Sequence, residues 1–209
     1  MNQSAKFWDK ISARYAKQPV ADEAAYQKKL QTTREYLNPE MAVLEIGCGT
    51  GSTAILHAPF VKHIRAIDIS AKMIEIAQNK LRVEKIENIT FEQSAIDDLK
   101  VEAQSIDVVM ALSILHLVED KDEVIAKVYE ILKPGGVFVS STICMGDSIL
   151  KLIKLIEPLG VLLGFMPAVK VFASEELEAS ITNAGFEIDY RWSQGGNKAL
   201  FIVAKKPAL

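Results

Sequence analysis

The stretch Val43-Leu44-Glu45-Ile46-Gly47-Cys48-Gly49-Thr50-Gly51 constrains this chain more than any other. An apolar run passes straight into three glycines at alternate positions, the pattern of a buried strand driven into a turn that needs residues without side chains. A strand that turns this way and then opens a helix is the first half of a crossover unit in a parallel sheet. The next apolar run carries an acid, Asp68, 21 positions after Gly47. At that spacing a carboxylate accepts both hydroxyls of an adenosine ribose, so loop and acid together predict an adenosine-containing cofactor at the carboxyl ends of the strands. A dinucleotide loop has its third glycine where this chain has Ser52, and Gly51 comes one place early. The loop therefore suits a ligand without a pyrophosphate.

Short apolar runs alternate with amphipathic ones along the first two thirds of the chain. Strands are predicted over Ala42–Ile46, 64–69, 89–91, 106–111 and 137–140. Helices are predicted over 70–82, with Met73, Ile74, Ala77 and Leu81 on one face behind Ser70 as cap, and over 122–132, with Val124, Ile125, Val128 and Ile131 inward. Lys133-Pro134-Gly135-Gly136 reads as a helix stop placed before the next strand. In the last third, 174–184 reads as a helix capped by Ser174 and ended by Gly185. The runs 186–192 and 199–204, joined by Ser193-Gln194-Gly195-Gly196-Asn197, read as an antiparallel hairpin. The chain is taken as one domain over 1–209, with a helical cap (1–37), a cofactor-binding core (38–145), an insert (146–172) and a C-terminal helix and hairpin (173–209).

Composition removes several function classes. With 27 acidic and 24 basic side chains the formal charge is −3, and the adjacent basic pairs are Lys28-Lys29 and Lys205-Lys206, which is no nucleic-acid footprint. Cys48 and Cys144 stand 96 residues apart without histidine-rich surroundings, so neither a disulfide framework nor a metal centre is expected. The N-terminal segment is charged at Lys6, Asp9, Lys10 and Arg14, and the apolar stretch 149–169 is broken by Lys151, Lys154, Glu157, Pro158 and Pro167. No signal core and no membrane span is read from them, and the expectation is a cytoplasmic protein, monomer or homodimer, without nucleic-acid partners or stable membrane insertion.

Four blocks, LEIGCGTG (44–51), AIDISAKMIEIAQNK (66–80), IDVVMALSILHLVED (106–120) and ILKPGGVFV (131–139), follow one another in an order that resembles the class I S-adenosylmethionine-dependent methyltransferases, in particular the ubiquinone/menaquinone branch. The resemblance implies an α/β fold, a Rossmann-like doubly wound, seven-stranded mostly parallel sheet with an antiparallel C-terminal strand. It implies S-adenosylmethionine as cofactor and S-adenosylhomocysteine as product. Gly47 and Gly49 would lie under the methionine part, Glu45 would hold its ammonium group, Asp68 the ribose, and Met73 the adenine face. Ser94 stands where the family often has an aspartate for the adenine amino group, with Asp97 or Asp98 as substitutes for that contact. Cys48, Ile69, Ala95, Ile96 and Ala111 complete the implied cofactor-binding set. The segment FWDKISARY resembles a cofactor-covering helix, with Tyr15 as its contact and Phe7, Trp8 and Ile11 as packing.

Methyl transfer from a sulfonium is an in-line displacement in which the cofactor carries the difficult chemistry, and the protein must align the acceptor and exclude water. A base is needed where the acceptor must lose a proton. His116 reads either as that base or as a histidine packed under its loop. The insert, with Leu159, Leu162, Leu163, Phe165 and Met166, reads as the wall of a lipophilic small-molecule pocket, a lid, core or a dimer contact. Cys48 reads as a loop filler, Cys144 as a strand-end hydrophobe, and Asp97, Asp98, Glu119 and Asp120 as turn and helix-start acids. The rival readings are a nicotinamide-dependent oxidoreductase, which Ser52 disfavours, and a non-catalytic S-adenosylmethionine-binding module.

Overall fold

A computed structural model describes residues 3–147, 160–161, 165–194 and 199–208. The described strands form a seven-stranded sheet in which β7 runs antiparallel to its neighbours. The chain divides into two compact units, Met1–Leu99 and Lys100–Leu209.

The first unit runs α1 (Gln3–Tyr15), α2 (Glu23–Arg34), β1 (Ala42–Ile46), α3 (Ser52–His57), β2 (His63–Asp68), α4 (Ala71–Glu84) and β3 (Ile89–Gln93). β1 and β2 are parallel and in register from Ala42 opposite His63 to Ile46 opposite Ile67, and β2 pairs parallel with β3 out to Asp68 opposite Gln93. The strand ends therefore fall level, and Asp68 stands at the tip from which the glycine loop departs one strand away. α4 forms where the apolar spacing demands it. Ser70 caps it by accepting from the Met73 N–H, while Met73, Ile74 and Ala77 are buried on its inner face. Its far end closes on Lys85 in the left-handed region, φ 55°.

The second unit runs β4 (Ile106–Leu112), α5 (Lys121–Ile131), β5 (Leu132–Thr142), α6 (Ser174–Asn183), β6 (Glu187–Trp192) and β7 (Leu200–Lys205). Asp120, expected as a helix-start acid, caps α5 by accepting from the Asp122 and Glu123 N–H groups. β4 pairs parallel with β5, β5 antiparallel with β7, and β7 antiparallel with β6, so the hairpin expectation holds for the strands. Residues 195–198 of its turn lie outside the described residues.

Two local expectations are corrected. The Lys-Pro-Gly-Gly segment does not stand before the strand but inside it: β5 begins at Leu132, opposite Ile106, and regular pairing resumes with Val137 opposite Val108. The extra residues bulge out, and the C-terminal chain holds them, with the Gly135 N–H donating to the Lys206 carbonyl and the Lys206 N–H to the Gly136 carbonyl at 2.9 Å each. The cap of α6 is Ala173 rather than Ser174: Glu176 reaches back to the Ala173 N–H at 3.1 Å, and the Ser174 N–H and hydroxyl both turn to Asp147. The Lys205-Lys206 pair is structural on its buried half. Lys206 is 8% exposed, donates to the Tyr129 and Leu132 carbonyls at 2.7 and 2.8 Å, and lies over the Tyr129 ring, closing the carboxyl end of α5.

Gly51 illustrates how tightly the first unit is packed. Its φ is +75°, and a Cβ there would stand 2.4 Å from Phe91 Cζ and 2.9 Å from Ala77 Cβ, so the loop is pressed onto α4 and β3. Gly135 has nearly the same φ, +76°, with nothing within 4 Å of its absent Cβ. Gly135→Ala is expected to lose only the left-handed strain, about 1–2 kcal/mol, whereas Gly51→Ala adds overpacking and loses about 2–4 kcal/mol. Urea unfolding of the two variants side by side checks this; equal losses would remove packing as the reason for Gly51.

Candidate functional site

The site is built in the first unit, where a strand end, a glycine loop and a neighbouring strand tip meet. Gly47, Gly49 and Gly51 all take left-handed φ, at 68°, 53° and 75°. That repeated reversal lets the Cys48 N–H reach back to the Ile67 carbonyl at 2.9 Å, laying the loop across the tip of β2. Asp68 then receives it. One carboxylate oxygen, Oδ2, accepts from the Gly49 N–H at 2.9 Å, and the other, Oδ1, from the Ser70 N–H at 2.8 Å. Each oxygen keeps a second lone pair, which is what two ribose hydroxyls would use. Burial holds the Asp68 carboxyl above its ordinary range, against the pull of these two N–H donors.

Glu45 is the energetic anomaly of the site. It lies inside β1 at 2% exposure, where the strand's other inward residues are aliphatic, and its Oε2 has no hydrogen-bond partner among the described residues. Burial, and then the Asp68 carboxylate, push its pKa up to about 8. A buried acid left unpaired costs stability, and a cation is the group that would relieve it.

Aromatic groups face the same loop. Tyr15, at the end of α1, brings its Cε1 to 3.8 Å from where a Gly49 Cβ would stand, and burial, followed by the Asp68 charge, raises its phenol pKa. Its ring meets Trp8 edge-on, and Trp8 meets Phe7 the same way. From α2, the Tyr26 hydroxyl pairs with Thr53 Oγ1 at 3.2 Å, and its own pKa is raised by burial and by the charge of Glu45. Cys48 is buried with its thiol pKa pushed well above the usual value, so it fills the loop rather than acting as a thiolate.

The turn after β3, where an adenine contact is expected, is positioned by backbone. The Ser94 N–H donates to the Asp68 carbonyl at 3.0 Å, which sets the turn after β3 beside the tip of β2. The Ser94 hydroxyl donates to the Ala95 carbonyl at 2.9 Å, so its oxygen is left to accept, the role an amino group requires of it. Ile96 is buried, Ile69 and Ala95 are half-buried, and Met73 is 2% exposed within the core. Asp97 and Asp98 are exposed, in keeping with turn acids.

In the second unit, Ala111 is fully buried on β4 opposite Ser140. His116 follows that strand in a tight turn, 7% exposed, its carbonyl accepting from the Lys170 N–H at 2.8 Å. Its Nδ1 is buried without a partner among the described residues, and burial brings its pKa down to about 4. The imidazole is therefore neutral at pH 7, and burial disfavours its protonated form. Of the insert, 148–159 and 162–164, including Leu159, Leu162 and Leu163, lie outside the described residues, and Phe165 is 75% exposed. A Tyr-x-x-x-Lys spacing of the kind oxidoreductases use does occur, at Tyr129 and Lys133, but Tyr129 packs edge-on against Phe186 and Lys133 pairs with Asp107 at 2.7 Å.

Two residues that touch this constellation gave no signal in the sequence. Asp9 accepts from the Ser70 hydroxyl at 2.7 Å and from the Lys72 N–H at 3.0 Å. Lys80 donates to Thr50 Oγ1 and Ser52 Oγ at 3.0 and 2.8 Å, tying α4 to the glycine loop. Both are polar helix residues whose partners are distant in sequence, and neither type nor spacing marks them. Among the described residues no cluster of metal-ligating side chains exists, and no helix is long and apolar enough to cross a membrane.

Residues 37–184 match the family model described as a methyltransferase domain. The chain is 34% identical over 125 residues to a malonyl-[acyl-carrier protein] O-methyltransferase of Priestia megaterium, a match covering 59% of this chain and 44% of that protein. It is 31% identical over 115 residues to a ribosomal protein L11 methyltransferase of Staphylococcus aureus, covering 54% of this chain and 36% of that one. The chain thus spans less than half the length of these curated relatives. Among solved structures it is similar to the geranyl diphosphate C-methyltransferase of Streptomyces coelicolor in complex with S-adenosyl-L-homocysteine, with a TM-score of 0.72 and 14% identity, covering 88% of this chain and 79% of that one.

Three buried groups set the stability of the ligand-free protein against pH. His57, in α3, resembles His116: it is buried, both ring nitrogens lack partners among the described residues, and its pKa is lowered to about 4 by burial and by Arg34. Both histidines stay neutral in the fold while the unfolded chain takes up protons below its ordinary histidine value of 6.5, so stability falls as pH drops from 6.5 toward 4. Glu45 acts in the other direction: the unfolded carboxyl ionises near 4.5 and the folded one near 8, so stability falls as pH rises between them. Two histidines outweigh one glutamate below 6.5, and Glu45 acts alone above it. The urea midpoint is therefore expected to peak near pH 6.5, with Glu45→Gln flattening the alkaline limb; a midpoint that climbs steadily to pH 8 would contradict it.

Proposed function

The chain belongs to the methyltransferase domain family, whose model it matches over residues 37–184, and we propose that it binds S-adenosylmethionine and transfers its methyl group to a small, lipophilic acceptor. The observation that carries this reading is the fork at Asp68, which fixes the glycine loop while keeping lone pairs for a ribose, next to the unpaired, sealed Oε2 of Glu45. The residues present fit the cofactor. Gly47 and Gly49 offer backbone without Cβ atoms, Asp68 would hold the ribose, Glu45 the ammonium group, Ser94 the adenine amino group, and Tyr15 would close over the loop. When bound, S-adenosylmethionine supplies a sulfonium methyl of high electrophilicity, so the protein's task is alignment and water exclusion.

Glu45 contributes as a carboxylate. A cationic amino group beside it would favour the ionised form and offset the desolvation cost of the buried carboxyl. His116 is assigned the proton-acceptor role because its Nδ1 is buried without a partner among the described residues and follows β4; since burial disfavours the imidazolium, the role requires the acceptor's own developing charge to stabilise it. The reading of a lipophilic acceptor is supported by the composition of 146–172, with Leu159, Leu162, Leu163, Phe165 and Met166.

Calorimetry with S-adenosylhomocysteine, alongside NADH, tests the cofactor. Binding of the first and not the second is expected, and Asp68→Ala is expected to weaken it at least about tenfold, the equivalent of one charge-assisted hydrogen bond. Tritiated S-adenosylmethionine incubated with cell extract tests the acceptor: label is expected in the solvent-extractable fraction, and label confined to the acid-precipitable fraction would replace the small molecule with a protein acceptor. His116→Ala is expected to cut labelling at least about tenfold without changing affinity for S-adenosylhomocysteine. Unchanged labelling would remove His116 from the reaction.

A further inference from the structure

The contacts around the glycine loop close into a ring, and one member of that ring has no part in holding a ligand directly. Starting from the loop, the Gly49 N–H donates to Asp68, the Ser70 N–H donates to the other oxygen of Asp68, and the Ser70 hydroxyl donates to Asp9 Oδ1 at 2.7 Å. Asp9 lies in α1 (Gln3–Tyr15), and α1 ends on Tyr15, whose ring returns to Gly49. Asp9 also accepts from the Lys72 N–H at 3.0 Å, so it satisfies one of the open donors in the first turn of α4, while Ser70 satisfies the next, that of Met73. A carboxylate at that end of α4 is favoured by the helix dipole as well. Ser12, buried one turn further along α1, donates to the Asp9 carbonyl at 2.9 Å. Asp9 thus fixes α1 against the start of α4, and Tyr15, at the end of the same helix, touches the loop at Gly49.

Asp9 ties α1 to the start of α4 through two hydrogen bonds. Phe7 and Trp8 are half-buried and meet edge-on, and Trp8 meets Tyr15 the same way, so the rings tie Tyr15 to its own helix. We propose that Asp9 is a positioning residue that latches α1 to the start of α4 and so holds Tyr15 over Gly49, setting how long the cofactor stays in the loop. This rests on the reading that the loop binds S-adenosylmethionine. A ligand under Tyr15 leaves only when α1 lifts, and lifting α1 breaks the two hydrogen bonds to Asp9. In the bound state the ligand's own contacts with Tyr15 add to the latch, so its loss shows in the dissociation rate more than in the association rate.

Stopped-flow measurement of S-adenosylhomocysteine release from the full chain tests the latch. Asp9→Ala is expected to raise the dissociation rate about tenfold, with the association rate within about twofold of wild type. Asp9→Asn keeps an oxygen able to accept from Ser70 and Lys72 and is expected to restore most of the slow release. If Asp9 acts through Tyr15, Asp9→Ala added to Tyr15→Ala changes the rate little beyond Tyr15→Ala alone. An unchanged dissociation rate in Asp9→Ala, or full additivity with Tyr15→Ala, overturns the latch. So does a uniform loss of affinity through association, the mark of a loosened fold. If the wild-type protein binds no S-adenosylhomocysteine, the cofactor reading itself fails, and the latch with it.

Discussion

The forked pair of hydrogen bonds at Asp68 is the interaction on which the rest of the first unit depends. A glycine-rich turn has few side chains with which to define itself, and three left-handed glycines at alternate positions carry a large entropic cost. The carboxylate removes that freedom by fixing Gly49 from one oxygen and the start of α4 from the other. The same residue therefore orders the loop, sets the entry of the following helix, and stands where a ribose would be read. Placing those tasks on one side chain at a strand tip makes the site rigid before any ligand arrives, which lowers the ordering cost of binding.

Electrostatically the protein is built against its own stability. Glu45 sits in a strand whose neighbours are Leu44 and Ile46, sealed from water with one oxygen unpaired. A well-packed aliphatic residue there would be more stable, because a buried carboxyl loses hydration that nothing in the protein returns. On the proposed reading, a cationic ligand would offset that cost. A conflict between local rule and observed residue, located beside a glycine loop, is where function is expected to override packing. His57 carries a similar cost, with both ring nitrogens unpaired, yet it lies outside the loop and no ligand role follows from it.

Much of the architecture was legible because it is local. Ala42–Ile46 was recognisable as a buried strand, and Ser70 as a cap, since a short hydroxyl before an amphipathic run has few other uses. Asp120 was legible for the same reason. The misreadings share one cause. Lys-Pro-Gly-Gly reads as a stop from its own composition, but Lys206, far along the chain, pairs with Gly135 and Gly136 and draws the segment into β5. Ser174 reads as a cap, but Asp147 claims its hydroxyl and N–H.

By itself the sequence determined the alternation of strand and helix, the glycine loop and the acid at the neighbouring strand tip. These depend on periodicity and on φ values that few residues tolerate, properties that a short segment carries with it. Tertiary structure alone decided that Glu45 is left unpaired, that His116 is neutral, and that Asp9 joins α1 to α4. Those outcomes turn on which groups lose water and which donor arrives first from a distant part of the chain, and burial and partnership at long range are not written in any local pattern.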